Sequence, residues 1–514
     1  MKRDTVIVTI RLVLTALSFA LYATAVMALH QDRTVAFVNE ELGPLPSAVS
    51  YWLYGTPGGL IDFHVADFFL TAQRSTTPTD EVVDQAIHGA APRTGWLIFA
   101  LDGAGIGTIV AARLGFALFG PHGQALPLTY LLLIGLSTVS FALRYRDERM
   151  SAAPILLLAL TLLLFTPLLD GLNAQQAPIG GLRYYAVVGI LPALHWCFEF
   201  GDKGIPGRYG GLARWGLLGV QLAVMGLAIL VRGSPFYLLL PLAGAVWLAL
   251  RRRHAGVTVR TTATYLFVPV AVLAIGLGLL PRLAFPDYAA SGRLYVNVWH
   301  HIFVGLGTSP YFPFPGLTER YPCPEIPEGL VPGAQDRNGQ CVWSAYVHGM
   351  HMSPSEAHSG LYSDKYESVL RNAVFYVARY YPGKVLKDIL YYKPRLIVDA
   401  VATTWPSLSS PSARPVLPLA LLQIALFVGF VATRPEPRPV RDAAIRLAVL
   451  LPFLISVQIP LLVAWARPWT IVDLLTYLFC GVEIGLWLVL ALCFKLVRET
   501  ELFGKVRSKL GYGD

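Results

Sequence analysis

Apolar residues in this chain gather in blocks of about 20, the length at which a helix crosses a bilayer. Such windows fall at 6–29, 125–143, 152–171, 183–200, 213–231, 235–250, 262–283, 415–433, 446–466 and 470–494. The pattern predicts an all-α polytopic membrane protein with about ten transmembrane helices. Only Arg232, Gly233 and Ser234 separate the short 235–250 window from 213–231, so these two read as a helical hairpin. The first window follows Lys2 and Arg3 and lacks a small-residue cleavage site, which marks a signal anchor that stays as a helix.

The polar positions between the windows set the orientation. Basic residues concentrate in RYRDER (144–149), RRRH (251–254), RPEPRPVR (434–441) and the C-terminal tail. The short turns on the other side hold little more than Arg183, Arg232 and Arg467. By the positive-inside rule both termini are cytoplasmic, and the two long segments 30–124 and 284–414 are extracytoplasmic. The chain thus divides into an N-terminal transmembrane module, 1–283, that includes the first loop, a second loop at 284–414, and C-terminal helices with a basic tail at 415–514. Within the first loop, the Gly-rich stretch 96–120 carries Asp102 and Arg113. It is expected to lie at the membrane surface as a helix with its apolar face down. In the second loop, Tyr366, Val369, Leu370, Ala373, Val374, Val377 and Tyr381 recur at helical spacing. They predict an amphipathic helix over 362–381, ended by Pro382-Gly383 and resting on the bundle or the interface.

Composition agrees with this reading. Hydrophobic residues make up 55% of the 514 positions and charged residues 14%, with a mean hydropathy of +0.54, so the apolar excess must face lipid. The net charge of +9 sits in short segments between spans, where it orients the chain, and no nucleic-acid partner is expected. Of the five cysteines, Cys197, Cys480 and Cys493 lie in apolar windows. Cys323 and Cys341 share the second loop, where a disulfide would suit an oxidising compartment; two unpaired thiols are the alternative. No second Cys or His pair stands at zinc-ligand spacing, so no metal site is assigned.

The stretch YGTPGGLIDFHVADFFLTAQ (54–73) holds the most suggestive chemistry: turn residues lead into a helix bearing Asp62, His64 and Asp67. A carboxylate just outside the membrane can act as a general base, and a second can assist it or help hold a divalent cation. The alternative is an interfacial helix whose Asp and His face water. Asp102, among Gly103, Gly105 and Gly107, is read as a second acidic site residue beside glycines that permit close packing. His195 and Glu199, four residues apart near the inner end of their window, are expected to pair, and Glu483 to make a helix-packing hydrogen bond.

Acidic residues after the first helix, a surface helix closing on LFG (118–120) and a late soluble outer loop resemble the GT-C glycosyltransferases. DGAGIG (102–107), QQAPIGGLRYYAVVGILPALHW (175–196) and WHHIFVGLG (299–307) are similar to a group of bacterial membrane proteins related to those enzymes. The likeness extends from about residue 50 to 400. It implies sugar transfer from a polyprenyl-phosphate carrier to a glycan, lipid or protein acceptor, at the outer face of the bacterial inner membrane, with inversion at the anomeric carbon. An acidic residue of the first loop would be the base; Asp62 matches best and Asp67 next. The chain departs from many members in having no adjacent Asp-Asp, Asp-Glu or Glu-Asp pair in that loop except Asp80-Glu81. A lipid-phosphate leaving group needs cationic and donor partners. Arg183 beside Tyr184, and Arg293, His300 and His301 in the second loop, are the candidates, with His64 and Asp102 as further substrate- or phosphate-binding residues. Arg183 serves equally as an interfacial anchor, and a structural hydrogen bond suits the His pair. A transporter or flippase of a lipid-linked glycan is the competing function, though it predicts charge spread through several spans. A non-catalytic envelope-assembly protein on the same scaffold is the third.

Overall fold

A computed structural model describes residues 3–30, 44–56, 60–72, 77–89, 96–98, 105–146, 151, 153–159, 161–162, 191–193, 195–196, 211–231, 268–284, 298–322, 335–351, 363–396 and 413–432. The first half contains α1 (Arg3–His30), α2 (Pro44–Tyr54), β1 (Leu60–Asp62), α3 (Phe63–Ala72), α4 (Thr79–His88), β2 (Trp96–Ile98), α5 (Gly105–Phe119), α6 (Ala125–Arg144) and α7 (Gly211–Val231). The second contains α8 (Val268–Ala284), α9 (Val298–Leu306), α10 (Leu317–Arg320), α11 (Gln335–Gly349), α12 (Asp364–Tyr380), α13 (Pro382–Lys387), a π-helical turn (Asp388–Tyr392) and α14 (Ala413–Ala432).

Among the described residues three helices are long and apolar enough to cross a membrane: Thr5–Ala28 of α1, α6 and α7. The windows at 6–29, 125–143, 213–231, 262–283 and 415–433 thus coincide with α1, α6, α7, α8 and α14. Residues 153–159 and parts of 191–196 are helical inside two further windows. The windows at 235–250, 446–466 and 470–494 lie outside the described residues.

Side-chain contacts fix how these helices run. Arg11 donates to Arg146 O, and the Phe19 ring lies against Gly135, so α1 and α6 are antiparallel. Gln423 donates to Ser18 O, and Ile155 packs among Leu14, Leu426 and Phe427, which sets α14 antiparallel to α1. Ser137 donates to Gln221 Oε1 at 2.7 Å, and Gln221 Nε2 returns a bond to Ser137 O at 2.8 Å. Arg144 and Arg214 both flank the buried His195, so α6 and α7 are antiparallel as well. The end of α1, the start of α6, the end of α7 and the start of α14 therefore share one end of the bundle. Both long polar segments border that end: 30–124 joins α1 to α6, and 284–414 leads into α14. The paired Ser137–Gln221 bonds show how an apolar bundle carries polar side chains, by satisfying each with the other.

The first-loop elements sit on this shared end. A Cβ at Gly107 of α5 would run into Leu230 and Val231, the last residues of α7. One at Gly115 would lie 2.5 Å from Ala125 O and Thr129 Oγ1, in the first turn of α6. Helix α5 therefore lies across the ends of both, with α2 packed on its other side. Of the surface helix expected over 96–120, 105–119 is helical and 96–98 forms a strand. β2 pairs antiparallel with β1, matching Leu60 with Ile98 and Asp62 with Trp96, and this small sheet departs from the all-α expectation. Apolar 96–98 had no periodicity that distinguishes a strand from helix, and only the partner strand decides it.

The second loop builds a core of its own. Phe303, Phe312, Leu317, Trp343, Tyr366, Leu370 and Val377 pack together between α9, α11 and α12. Helix α12 begins at Ser363, whose hydroxyl accepts from Tyr366 N–H, and its acidic first turn suits the helix dipole. Its apolar stripe is buried in this local core, against α9 and α11, among the described residues. Pro382 ends α12 and opens α13, where its missing N–H costs nothing.

Candidate functional site

One face of α2 organises the first loop. Ser47, Ser50, Tyr51 and Tyr54 recur at helical spacing and form a polar stripe on an otherwise apolar helix. On one flank of the stripe Arg113 of α5 donates to Ser47 Oγ at 3.1 Å and stacks 4.5 Å over the Tyr51 ring. Burial lowers the guanidinium from its ordinary value to about 10, against the nearby Tyr51, and it stays charged at neutral pH. On the other flank the Asp62 N–H donates to Ser50 Oγ at 3.1 Å. Asp62 also lies close enough to raise the Tyr54 hydroxyl above its ordinary value, an effect second to Tyr54's own burial.

Asp62 is fully buried at the junction of β1 and α3. Its Oδ1 accepts the His64 N–H at 2.9 Å, which makes it the N-cap of α3. The His64 Nε2 lies 3.1 Å from Gly89 O and its ring is edge-on to Phe68, so this side chain ties α3 to the end of α4. Asp67 sits on the exposed face of α3. The two carboxylates expected to work together thus occupy different environments, one buried and one in solvent. Asp102, Arg183, Tyr184, Arg293 and Cys323 lie outside the described residues.

In the second loop, His300 is buried and His301 is exposed. His300 Nδ1 is 2.8 Å from the Tyr366 hydroxyl. Glu367 accepts the Trp299 N–H at 2.7 Å and the His300 N–H at 2.9 Å, capping α9 from α12. Burial raises the Glu367 carboxyl above its usual range, partly opposed by those two N–H groups. Gly339 of α11 closes the knot, since a Cβ there would lie 3.0 Å from the Tyr366 hydroxyl and 3.2 Å from His300 Nδ1. Cys341 is buried and disulfide-bonded, and its partner lies outside the described residues.

Sequence reading missed Arg113 as a site residue, together with Glu367 and the pair Asp388 and Lys393. A signal for Glu367 existed: a carboxylate beside Tyr366 and one turn before Leu370, on a stripe otherwise apolar. Both Asp388 and Lys393 are fully buried. Burial pushes Asp388 up to about 6, against the nearby Lys393 and Ser309 hydroxyl, and pulls Lys393 down to about 8. Five residues apart, they fall on different faces of an ordinary α-helix. The π turn, in which Lys393 N–H bonds Asp388 O, stacks them on one side. No helical-period pattern reveals that.

Among the described residues no three His, Cys, Asp or Glu side chains converge as a metal site. No protein-family model matches the chain, nor does any curated protein or solved structure.

Proposed function

We propose that the chain is an integral-membrane glycosyltransferase of GT-C type, moving a sugar from a polyprenyl-phosphate donor to an acceptor on the extracytoplasmic face of a bacterial inner membrane. In this reading there are about ten transmembrane helices with both termini cytoplasmic. The observation that carries it is the layer seated on the shared bundle end, where Asp62 and Arg113 are held by the polar stripe of one helix, α2. A disulfide at Cys341 belongs in an oxidising compartment and supports placing that end outside.

In the proposed reaction Asp62 takes the proton from the acceptor hydroxyl as its oxygen attacks the anomeric carbon. The bond from that carbon to the phosphate oxygen breaks, and polyprenyl phosphate leaves with the electron pair. Arg113 supplies positive charge on the same face of the layer, where a departing phosphate needs it. Access requires the α2–β1 seam to open, because Asp62 is fully buried in this conformation. That same burial, and the capping bond to His64, favour the second reading, a non-catalytic assembly scaffold.

The test is release of polyprenyl phosphate by the purified chain in nanodiscs, over a panel of polyprenyl-phosphate sugars, for wild type and Asp62→Asn. Asparagine caps a helix about as well as aspartate, so this change removes the base while keeping the cap. No sugar-dependent release with any donor would sink glycosyl transfer. Equal release by Asp62→Asn would move the base elsewhere.

A further inference from the structure

The helix that leaves the second-loop core, residues 382–396, carries a face that no other described residue covers. Leu390 is 67% exposed, Leu386 58% and Tyr391 53%, and Leu396 continues the stripe. Lys387 is exposed on the same side, Lys384 stands over the Tyr311 and Tyr381 rings, and Arg395 follows. From 379 to 396 there are five basic residues and one acidic, Asp388. That one carboxylate is turned inward: the π turn stacks it with Lys393 in the buried interior. The outward face of 382–396 therefore carries no carboxylate, and its exposed Lys387 also reaches the Tyr311 and Tyr392 hydroxyls. The opposite face packs through Val385 onto the second-loop core.

We propose that residues 382–396 form an elbow docked on the surface of an anionic lipid bilayer. Leu386, Leu390 and Tyr391 would enter the interface, and Lys384 and Lys387 would meet lipid phosphates. Three observations select a lipid surface over a protein partner. Aliphatic and tyrosine side chains alternate with lysines, the pattern of a helix lying in the headgroup layer with its amines reaching to phosphate. The charge is complementary to anionic lipid, with the sole carboxylate withdrawn. The chain also runs on to α14, which begins at Ala413 and packs antiparallel on the membrane helix α1, so the elbow is tethered to the bilayer it would touch. The inference does not rest on glycosyl transfer.

The experiment places benzoylphenylalanine at Leu390 or, as a control, at exposed Lys365, in the full chain in nanodiscs of mixed phosphatidylglycerol and phosphatidylcholine. After irradiation, adducts are identified by mass spectrometry. Lipid adducts are expected at 390 and not at 365. Phosphatidylglycerol should be enriched over its bulk share by about fivefold per lysine engaged, falling to the bulk share in Lys384→Gln/Lys387→Gln. Adducts to protein alone at 390 would overturn the proposal, because another polypeptide then covers the face. Lipid adducts in bulk proportion, unchanged by the double substitution, would overturn the anionic contact.

Discussion

Glu367 reaches from α12 to close the first turn of α9, and its removal should be felt there before anywhere else. Both carboxylate oxygens are used, one for the Trp299 N–H at 2.7 Å and one for the His300 N–H at 2.9 Å. Hydrogen bonds to a charged acceptor contribute about 1.5–3 kcal/mol each, and an orphaned buried N–H costs a similar amount. Against that stands the cost of burying the carboxylate, visible in its raised pKa. The net loss for Glu367→Ala is then about 3 kcal/mol, equivalent to roughly a 150-fold faster opening of the α9 N-terminus. Glu367→Gln keeps one acceptor oxygen and should lose about half as much, a factor on the order of ten. Hydrogen exchange of the full chain in nanodiscs, read by mass spectrometry on peptides covering 298–306, measures this directly. Exchange within about threefold of wild type in Glu367→Ala would refute the capping argument. Equal acceleration in Glu367→Ala and Glu367→Gln would refute the division between the two oxygens.

Four further outcomes follow from other parts of the fold. Gly107→Ala puts a methyl against the backbone of Leu230 and Val231, and should destabilise the α5–α7 contact by about 1–3 kcal/mol, seen as a lower thermal midpoint in detergent. Asp388 has a folded pKa raised from 3.8 to about 6, so its contribution is full below 3.8 and lost as pH rises through about 6. The second-loop core should accordingly lose about 1–2 kcal/mol across that window, allowing for partial screening, and Asp388→Asn should flatten the slope in hydrogen exchange of 364–380. Lys393 has a folded pKa lowered from 10.5 to about 8, so stability should rise again between those values and Lys393→Met should remove the rise. Peptide mapping without reductant should recover Cys341 linked to Cys323, and linkage to any other cysteine would refute that pairing.

Much of this architecture was legible in the residues alone. A 20-residue apolar block has one low-energy form in lipid, because only a helix satisfies its own backbone there. So α1, α6 and α7 follow from sequence with their ends within a few residues. The stripe that predicts α12 likewise depends only on helical period, and all its positions but Tyr381 are buried. What covers that stripe was not legible, since an apolar face specifies burial without naming a partner. Its partners are α9 and α11, whose own short apolar runs carry no long-range address.

The site divides the same way. Asp62 was identifiable as an acidic residue just past a glycine turn, at the start of a helix. Its capping bond to His64 fits that position, two residues before the N–H it accepts. The link from Asp62 through Ser50 and Ser47 to Arg113 spans residues 47 to 113 and exists only because α2 is laid on α5. Asp67 looks equivalent to Asp62 in composition, yet five residues along a helix carry it to the solvent face. The sequence by itself determined the three long apolar helices and where charge gathers, because those follow from local period and transfer free energy. The tertiary structure decided which polar groups meet and which are buried, because that depends on contacts between segments far apart in the chain.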